Sequence, residues 1–192
     1  MGNRIAVIYG SVRHHRQGIR AARFVTKKLE ERGHEVDFID AKDYELPLLD
    51  KMYKEFDEGD APESIQKLAD KLTAAEGFVI VTGEYNHSLP PALKNLLDHF
   101  QKEYLFKPSA IACYSGGIFG GVRAAVHSRA VLAELGTPSI SSMFPVPRVQ
   151  KSFDEDGNPN DEAFHGFIKK FLDEFDWYVQ ALKAAREQGT PF

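Results

Sequence analysis

The sequence predicts an α/β fold: a three-layer sandwich in which a five-stranded parallel sheet, of order 2-1-3-4-5, carries helices on both faces. Two observations predict it. Short apolar runs alternate five times with segments of helical periodicity, a pattern that winds a parallel sheet through right-handed crossovers. The loops after the first, third and fourth runs are also the chemically dense ones, and in that strand order they converge where the chain reverses direction, at the sheet edge that binds ligands.

Residues 4–9 (R-I-A-V-I-Y) form a near-continuous apolar run, as suits a strand covered on both faces. A loop over 10–18 (G-S-V-R-H-H-R-Q-G) leads into a helix running to about Arg32, with Ile19, Ala22, Val25 and Leu29 on one face and Gly33 where an αL cap belongs. Residues 35–39 are the second strand. Residues 40–61 read as long and irregular, and their apolar island, 44–49, covers either a pocket or a partner. Pro62 opens a helix with Ile65, Leu68, Ala69 and Leu72 at helical spacing, and Gly77 precedes the third strand, 78–82. Its β-branched residues and its length argue against a helix.

The loop after it, 83–88, leads to a helix carrying Leu89, Leu93, Leu96, Leu97 and Phe100 on one face; Ser88 is placed to cap it, and Pro90 and Pro91 are tolerated in its first turn. Residues 109–114 (S-A-I-A-C-Y) are the fourth strand, closed by a glycine-rich loop over 115–121. A helix over 122–135 stops at Gly136, 138–144 is the fifth strand, and 145–160 is a loop dense in Pro, Asp and Gly. The last helix carries a wide stripe from Phe164 to Leu182, mostly sheet cover, with breadth enough for part of it to meet another subunit.

The totals narrow the class. A chain of 192 residues without a Ser/Gly/Pro-rich linker is expected to form one domain. Hydrophobic residues at 43% and charged residues at 27% exclude a disordered chain, and a net charge of −4 favours neither nucleic acid nor an anionic membrane as partner. Cys113 has no second cysteine to pair with and lies in an apolar run, so it reads as a core residue in a reducing compartment. The first strand follows the N-terminus directly, without a charged and apolar leader, and Ala6 stands where a myristoylation signal needs Ser or Thr; cytoplasmic localisation is the expectation.

Familiar catalytic patterns fail on spacing. The first loop ends at a helix N-terminus, whose free N–H groups and dipole favour an anion, and Ser11, Arg13 and Arg16 add donors to it. Taken alone, it reads equally as a solvated basic loop. It is neither a Walker loop nor G-x-G-x-x-G, and Ser115 lacks the glycine two residues earlier that a nucleophile elbow requires, because Cys113 is there. Cys113 has Phe119 six residues on, where a phosphatase thiolate would need arginine. No histidine has H-E-x-x-H or C-x-x-C company, His127 and His165 read as plain helix-surface residues, and 154–158 lacks the alternating ligands of a calcium loop, so no metal is expected. The third loop holds Glu84, Tyr85, Asn86 and His87, a mixture more varied than a connection needs, although Asn and Ser there can also serve as ordinary turn residues.

Three motifs together resemble those of the NAD(P)H-dependent FMN reductase family of flavodoxin-like fold, which includes quinone, azo-dye and chromate reductases. They are G-S-x-R-x-x-R over 10–16, E-Y-N-x-S-x-P-x-x-L-K-N over 84–95 and S-x-G-x-x-G-G-x-R-A over 115–124, with weaker echoes at 46–50 and 153–157. One departure is Gly83, where the family usually has proline, which gives that loop extra backbone freedom.

The resemblance implies a flavodoxin-like three-layer sandwich that binds FMN and takes NAD(P)H as co-substrate. It implies that Ser11, Arg13, Arg16, Gln17 and Gly18 hold the FMN phosphate and that Glu84, Tyr85, Asn86 and His87 line the isoalloxazine ring. Ser115, Gly116 and Gly117 would then reach the pyrimidine side through backbone N–H groups, since only a chain without Cβ atoms approaches a flat ring that closely. It also implies hydride uptake from the nicotinamide, two-electron delivery to a small-molecule acceptor by ping-pong turnover, no catalytic side-chain acid or base, and a homodimer or homotetramer. The other reading is a flavodoxin-like carrier passing single electrons, against which the modest charge and the Glu-Tyr-Asn loop both argue.

Overall fold

The computed structural model describes residues 2–192. Five strands, β1 (Arg4–Tyr9), β2 (Glu35–Asp40), β3 (Gly77–Gly83), β4 (Ser109–Tyr114) and β5 (Ser139–Val146), form one parallel sheet of order β2-β1-β3-β4-β5. This is the flavodoxin-like arrangement that the alternation predicts, with the chain reversing direction between β1 and β3.

Strand periodicity divides the core into two layers. Ile5, Val7 and Tyr9 of β1 point to one face, against α1 (Ile19–Glu30) and α7 (Ala163–Glu187), while Ala6 and Ile8 point to the other, against α3 (Glu63–Ala74), α4 (Pro91–Asp98) and α5 (Val122–Glu134). β1, β3 and β4 are buried over nearly their whole length, which explains their unbroken apolar runs. Ile168, Phe171, Leu172, Phe175 and Val179 of α7 are fully buried, and at roughly 1.5–3 kcal/mol per side chain they make this helix the main cover of its face. Phe167, which the periodicity places in the stripe, is 65% exposed, so the buried stripe is narrower than the sequence indicates.

Four local expectations change. β3 begins at Gly77 rather than after it, because Gly77 already pairs with Ile5 of β1; a Cβ there would stand 2.9 Å from Phe175 and from Val179, so the glycine lets α7 close on the strand. β5 continues through Pro145 to Val146, and the proline is tolerated because β5 pairs only with β4 and is an edge. Ser88 is not the cap of α4: that position is Pro90, and the Ser88 hydroxyl lies 2.8 Å from His127 Nδ1 on α5, so His127 is a tether and not merely a surface residue. The segment 40–61 contains α2 (Ala41–Tyr44), started by the Asp40 side chain accepting from the Lys42 N–H, and a 3₁₀ turn at Tyr53–Glu55. Tyr44 and Leu46, at the start of the apolar island, pack on the α3/α4 side of the core together with Tyr53 and Phe56 beyond it, whereas Leu48 is 85% and Leu49 38% exposed, so only the first half of the island covers the protein's own interior.

No helix among the described residues is long and apolar enough to cross a membrane.

Candidate functional site

The loops after β1, β3 and β4 meet at the C-terminal edge of the sheet, beside the point of reversal. A cleft opens there, walled by Ser11, Arg13, Arg16 and Gln17 from the first loop, Glu84 and Tyr85 from the third, and Ser115 and Gly116 from the fourth. Gly18, Asn86, His87 and Gly117, singled out with them in the sequence, belong to the same loops but stand outside this wall.

In the first loop Ser11 is only 2% exposed, and Gly10 allows α4 to approach, since a Cβ there would come within 2.3 Å of Leu93. No side chain caps α1; the Arg20 N–H goes to the Gln17 carbonyl at 3.3 Å, and those of Ile19 and Ala21 are left to solvent or a ligand. Arg13 is exposed. Arg16 is committed: its guanidinium donates to Asp40 and to the Ser11 carbonyl, at 2.5 and 3.2 Å, and lies 5.4 Å from the Tyr9 ring centroid. Asp40 is 4% exposed, so this pair ties the loop to β2 and leaves Arg16 fewer free donors than its position in the motif implies.

In the third loop Tyr85 and Ser88 exchange backbone hydrogen bonds of 2.9 Å each way around Asn86 and His87, whose φ values are 49° and 67°. Two left-handed residues between such a pair make a turn of type I′. The turn carries Asn86 and His87 away from the cleft. Glu84, behind it, accepts from the Arg123 guanidinium at 2.9 Å and from the Arg123 backbone N–H at 3.2 Å, which fastens the loop to the first turn of α5. With those bonds Glu84 acts as a tether rather than a free proton acceptor.

In the fourth loop the Ser115 N–H is donated to Val146 and its hydroxyl to Gly117, so Ser115 contributes position rather than a free N–H. The next two N–H groups, of Gly116 and Gly117, have no acceptor among the described residues. A Cβ built on Gly117 meets nothing within 4 Å, and one on Gly116 meets only Gln150 Oε1 at 4.0 Å. Neither glycine has the positive φ that would by itself demand one. Open space, free donors and no internal need for glycine fit a flat ligand lying against the loop.

His15, Gly83, Tyr114, Val149 and Gln150 also wall the cleft, and motif spacing does not find them. Val149 and Gln150 lie in α6 (Val149–Ser152), brought beside the cleft by bonds from the Arg148 N–H to Gly117 and from Gln150 Nε2 to Gly116. Cys113, just behind, is buried, and burial pushes its thiol up to about 12, which removes it as a nucleophile.

A family model described as NADPH-dependent FMN reductase matches residues 3–151, a span holding all three loops. The chain belongs to that family. A 2-hydroxy-1,4-benzoquinone reductase from a Burkholderia species is 30% identical over 187 residues, covering 94% of this chain and 98% of the relative. An NADH:(hydroxy)cinnamate reductase subunit from Vibrio ruber is 30% identical over 153 residues, 77% of this chain and 75% of the relative. Among solved structures, the flavoenzyme NAD(P)H:(acceptor) oxidoreductase FerB of Paracoccus denitrificans superposes with a TM-score of 0.76 at 25% identity, covering 93% of this chain and 98% of that one. As a member of the family the chain is an NAD(P)H-dependent oxidoreductase that uses FMN.

Proposed function

We propose that the cleft binds FMN and that the chain reduces a quinone or a similar small two-electron acceptor at the expense of NAD(P)H, by ping-pong turnover. The observation that carries the reading is the pair Gly116 and Gly117, whose N–H groups have no acceptor among the described residues and whose flanks are open, with Gly116 in the cleft wall opposite an anion-favouring loop. The names of the relatives, a benzoquinone reductase among them, support the acceptor class.

In this reading Arg13, Ser11, Gln17 and the uncapped start of α1, at Gly18, hold the phosphate, and Arg16 orders the loop through Asp40. Tyr85 and the Glu84 backbone flank the ring, and the turn at Asn86 and His87 fixes the course of that loop without touching the ring. Gly116 and Gly117 donate to its polar edge. When bound, FMN supplies the chemistry, taking hydride from the nicotinamide and giving two electrons to the acceptor. The protein binds, orients and limits water, and no side chain is assigned as acid or base. The resemblance favours a dimer or tetramer, and the cytoplasm is the compartment this chemistry and a lone unpaired cysteine suit.

Steady-state rates with NADPH and NADH against quinones, azo dyes, free flavins and chromate test the reading. Parallel double-reciprocal lines are expected with at least one quinone. Converging lines would remove the ping-pong order, and tightly held FMN with no turnover on any acceptor would leave an electron carrier.

A further inference from the structure

Tyr114 ends β4, and its ring fills the space between the start of α1 and the end of β3. A Cβ on Gly18 would lie 1.9 Å from Tyr114 Cζ and 2.3 and 2.4 Å from its Cε atoms, inside the ring. One on Gly83 would stand 3.0 Å from both Cζ and the hydroxyl oxygen. Two glycines from two different loops are thus the room this one phenol requires. The ring is 9% exposed and forms part of the cleft wall.

Its hydroxyl approaches those of Ser11 and Tyr9. Tyr9 is 0% exposed, and despite these neighbours its hydroxyl completes no hydrogen bond of good geometry. Neither the Ser11 nor the Tyr114 hydroxyl has an acceptor of good geometry among the described residues, so each O–H is left for a ligand. Ser11 and Tyr114 both wall the cleft, and a ligand oxygen there would supply the acceptor. The same end presents Arg13 and the uncapped start of α1, which select an anion. Burial pushes both phenols up from their ordinary range, so they stay O–H donors at any working pH.

We infer that Tyr114 is a positioning residue for the phosphate end of the cleft: locked between Gly18 and Gly83, its phenol turns the Ser11 hydroxyl toward a phosphate oxygen and makes the cleft select phosphorylated over unphosphorylated flavin. The inference rests on the reading of the cleft as an FMN site.

Tyr114→Phe keeps the ring, and with it the packing against both glycines, while removing the hydroxyl. Titration of FMN and of riboflavin into the flavin-free chain, followed by flavin fluorescence, reads the effect, with inorganic phosphate as a competitor. The variant should lose about tenfold in FMN affinity, about 1.4 kcal/mol, with riboflavin affinity unchanged and phosphate competition weakened by a similar factor. Adding Ser11→Ala should then cost little more, because the phenol acts through the Ser11 hydroxyl. An equal loss for both flavins, which a purely structural role would give, overturns the inference, as does FMN affinity unchanged from wild type. A wild-type chain that binds neither flavin would instead overturn the FMN-site reading itself, and the inference with it.

Discussion

Gly83 lies against Tyr114 so closely that a single methyl group at position 83 would stand 3.0 Å from the phenol's Cζ and hydroxyl oxygen and 3.1 Å from Cε2. The ring cannot retreat, because Gly18 holds its other side. This accounts for the glycine where the family usually carries proline. Gly83→Ala should therefore destabilise the fold by about 1–3 kcal/mol, the usual range for overpacking a well-filled site. Denaturant unfolding measures it, and the same change in a Tyr114→Leu background should cost clearly less. Additive costs in the double variant would show that the two residues do not compete for one space.

Arg13 and Arg16 sit three residues apart in one motif, yet the structure gives them different work. Arg13→Ala should weaken FMN binding about tenfold or more and leave stability alone, since the side chain is exposed and one charge-assisted bond to a phosphate is worth about 1.5–3 kcal/mol. Arg16→Ala leaves the buried Asp40 carboxylate without its ion-pair partner and should cost about 2 kcal/mol or more in folding as well as about tenfold in flavin affinity. Parallel measurements of flavin affinity and unfolding separate the two. If Arg16→Ala leaves stability untouched, the Asp40 pair is not what orders the loop.

Much of this was legible in the sequence, because it depends on local pattern. Apolar runs gave β1 and β4 to the residue, and the clustering of three dense loops after β1, β3 and β4 followed from strand order alone. What escaped is contact between distant positions. Tyr114 closes an apolar strand and reads as core; only the fold brings Gly18 and Gly83 to its ring. Ser88 has the local signature of a cap, but Pro90 holds that place and His127, 39 residues on, is a nearer partner. Gln150 reaches Gly116 from beyond β5, and no spacing rule links the two.

Alkaline stability should depend on two groups with opposite signs. Burial holds the Cys113 thiol at about 12, against about 8.5 in an unfolded chain, so its contribution is complete below about pH 8.5 and is lost as pH rises toward 12. Burial lowers Lys107 to about 8, against about 10.4 unfolded; the folded state then binds fewer protons in that window, and stability rises with pH across it. Its ammonium donates to the Leu72 and Thr73 carbonyls at the end of α3. Relative to wild type, Cys113→Ala should gain stability above pH 8.5, and Lys107→Met should lose it between pH 8 and 10.4. Urea unfolding at pH 7, 9 and 10 reads both, and differences that stay constant with pH would mean neither group is shielded from water.

Gly117 offers the sharpest separation between fold and function, because its surroundings ask nothing of it. Its φ is not positive, and an added Cβ would meet no atom of the protein within 4 Å. Gly117→Ala should therefore leave the unfolding midpoint unchanged, in contrast to Gly83→Ala. A ligand lying against the loop would meet the methyl group directly. Flavin affinity should fall about tenfold, and FMN and riboflavin should suffer equally, because the change is at the ring end of the cleft and not at the phosphate end. That equality distinguishes it from Tyr114→Phe, whose loss is confined to FMN. Titrations of both flavins into the Gly117→Ala and Gly116→Ala chains supply the comparison. If both variants bind FMN as wild type does, the free N–H groups of this loop face solvent rather than cofactor, and the ring must rest elsewhere in the cleft.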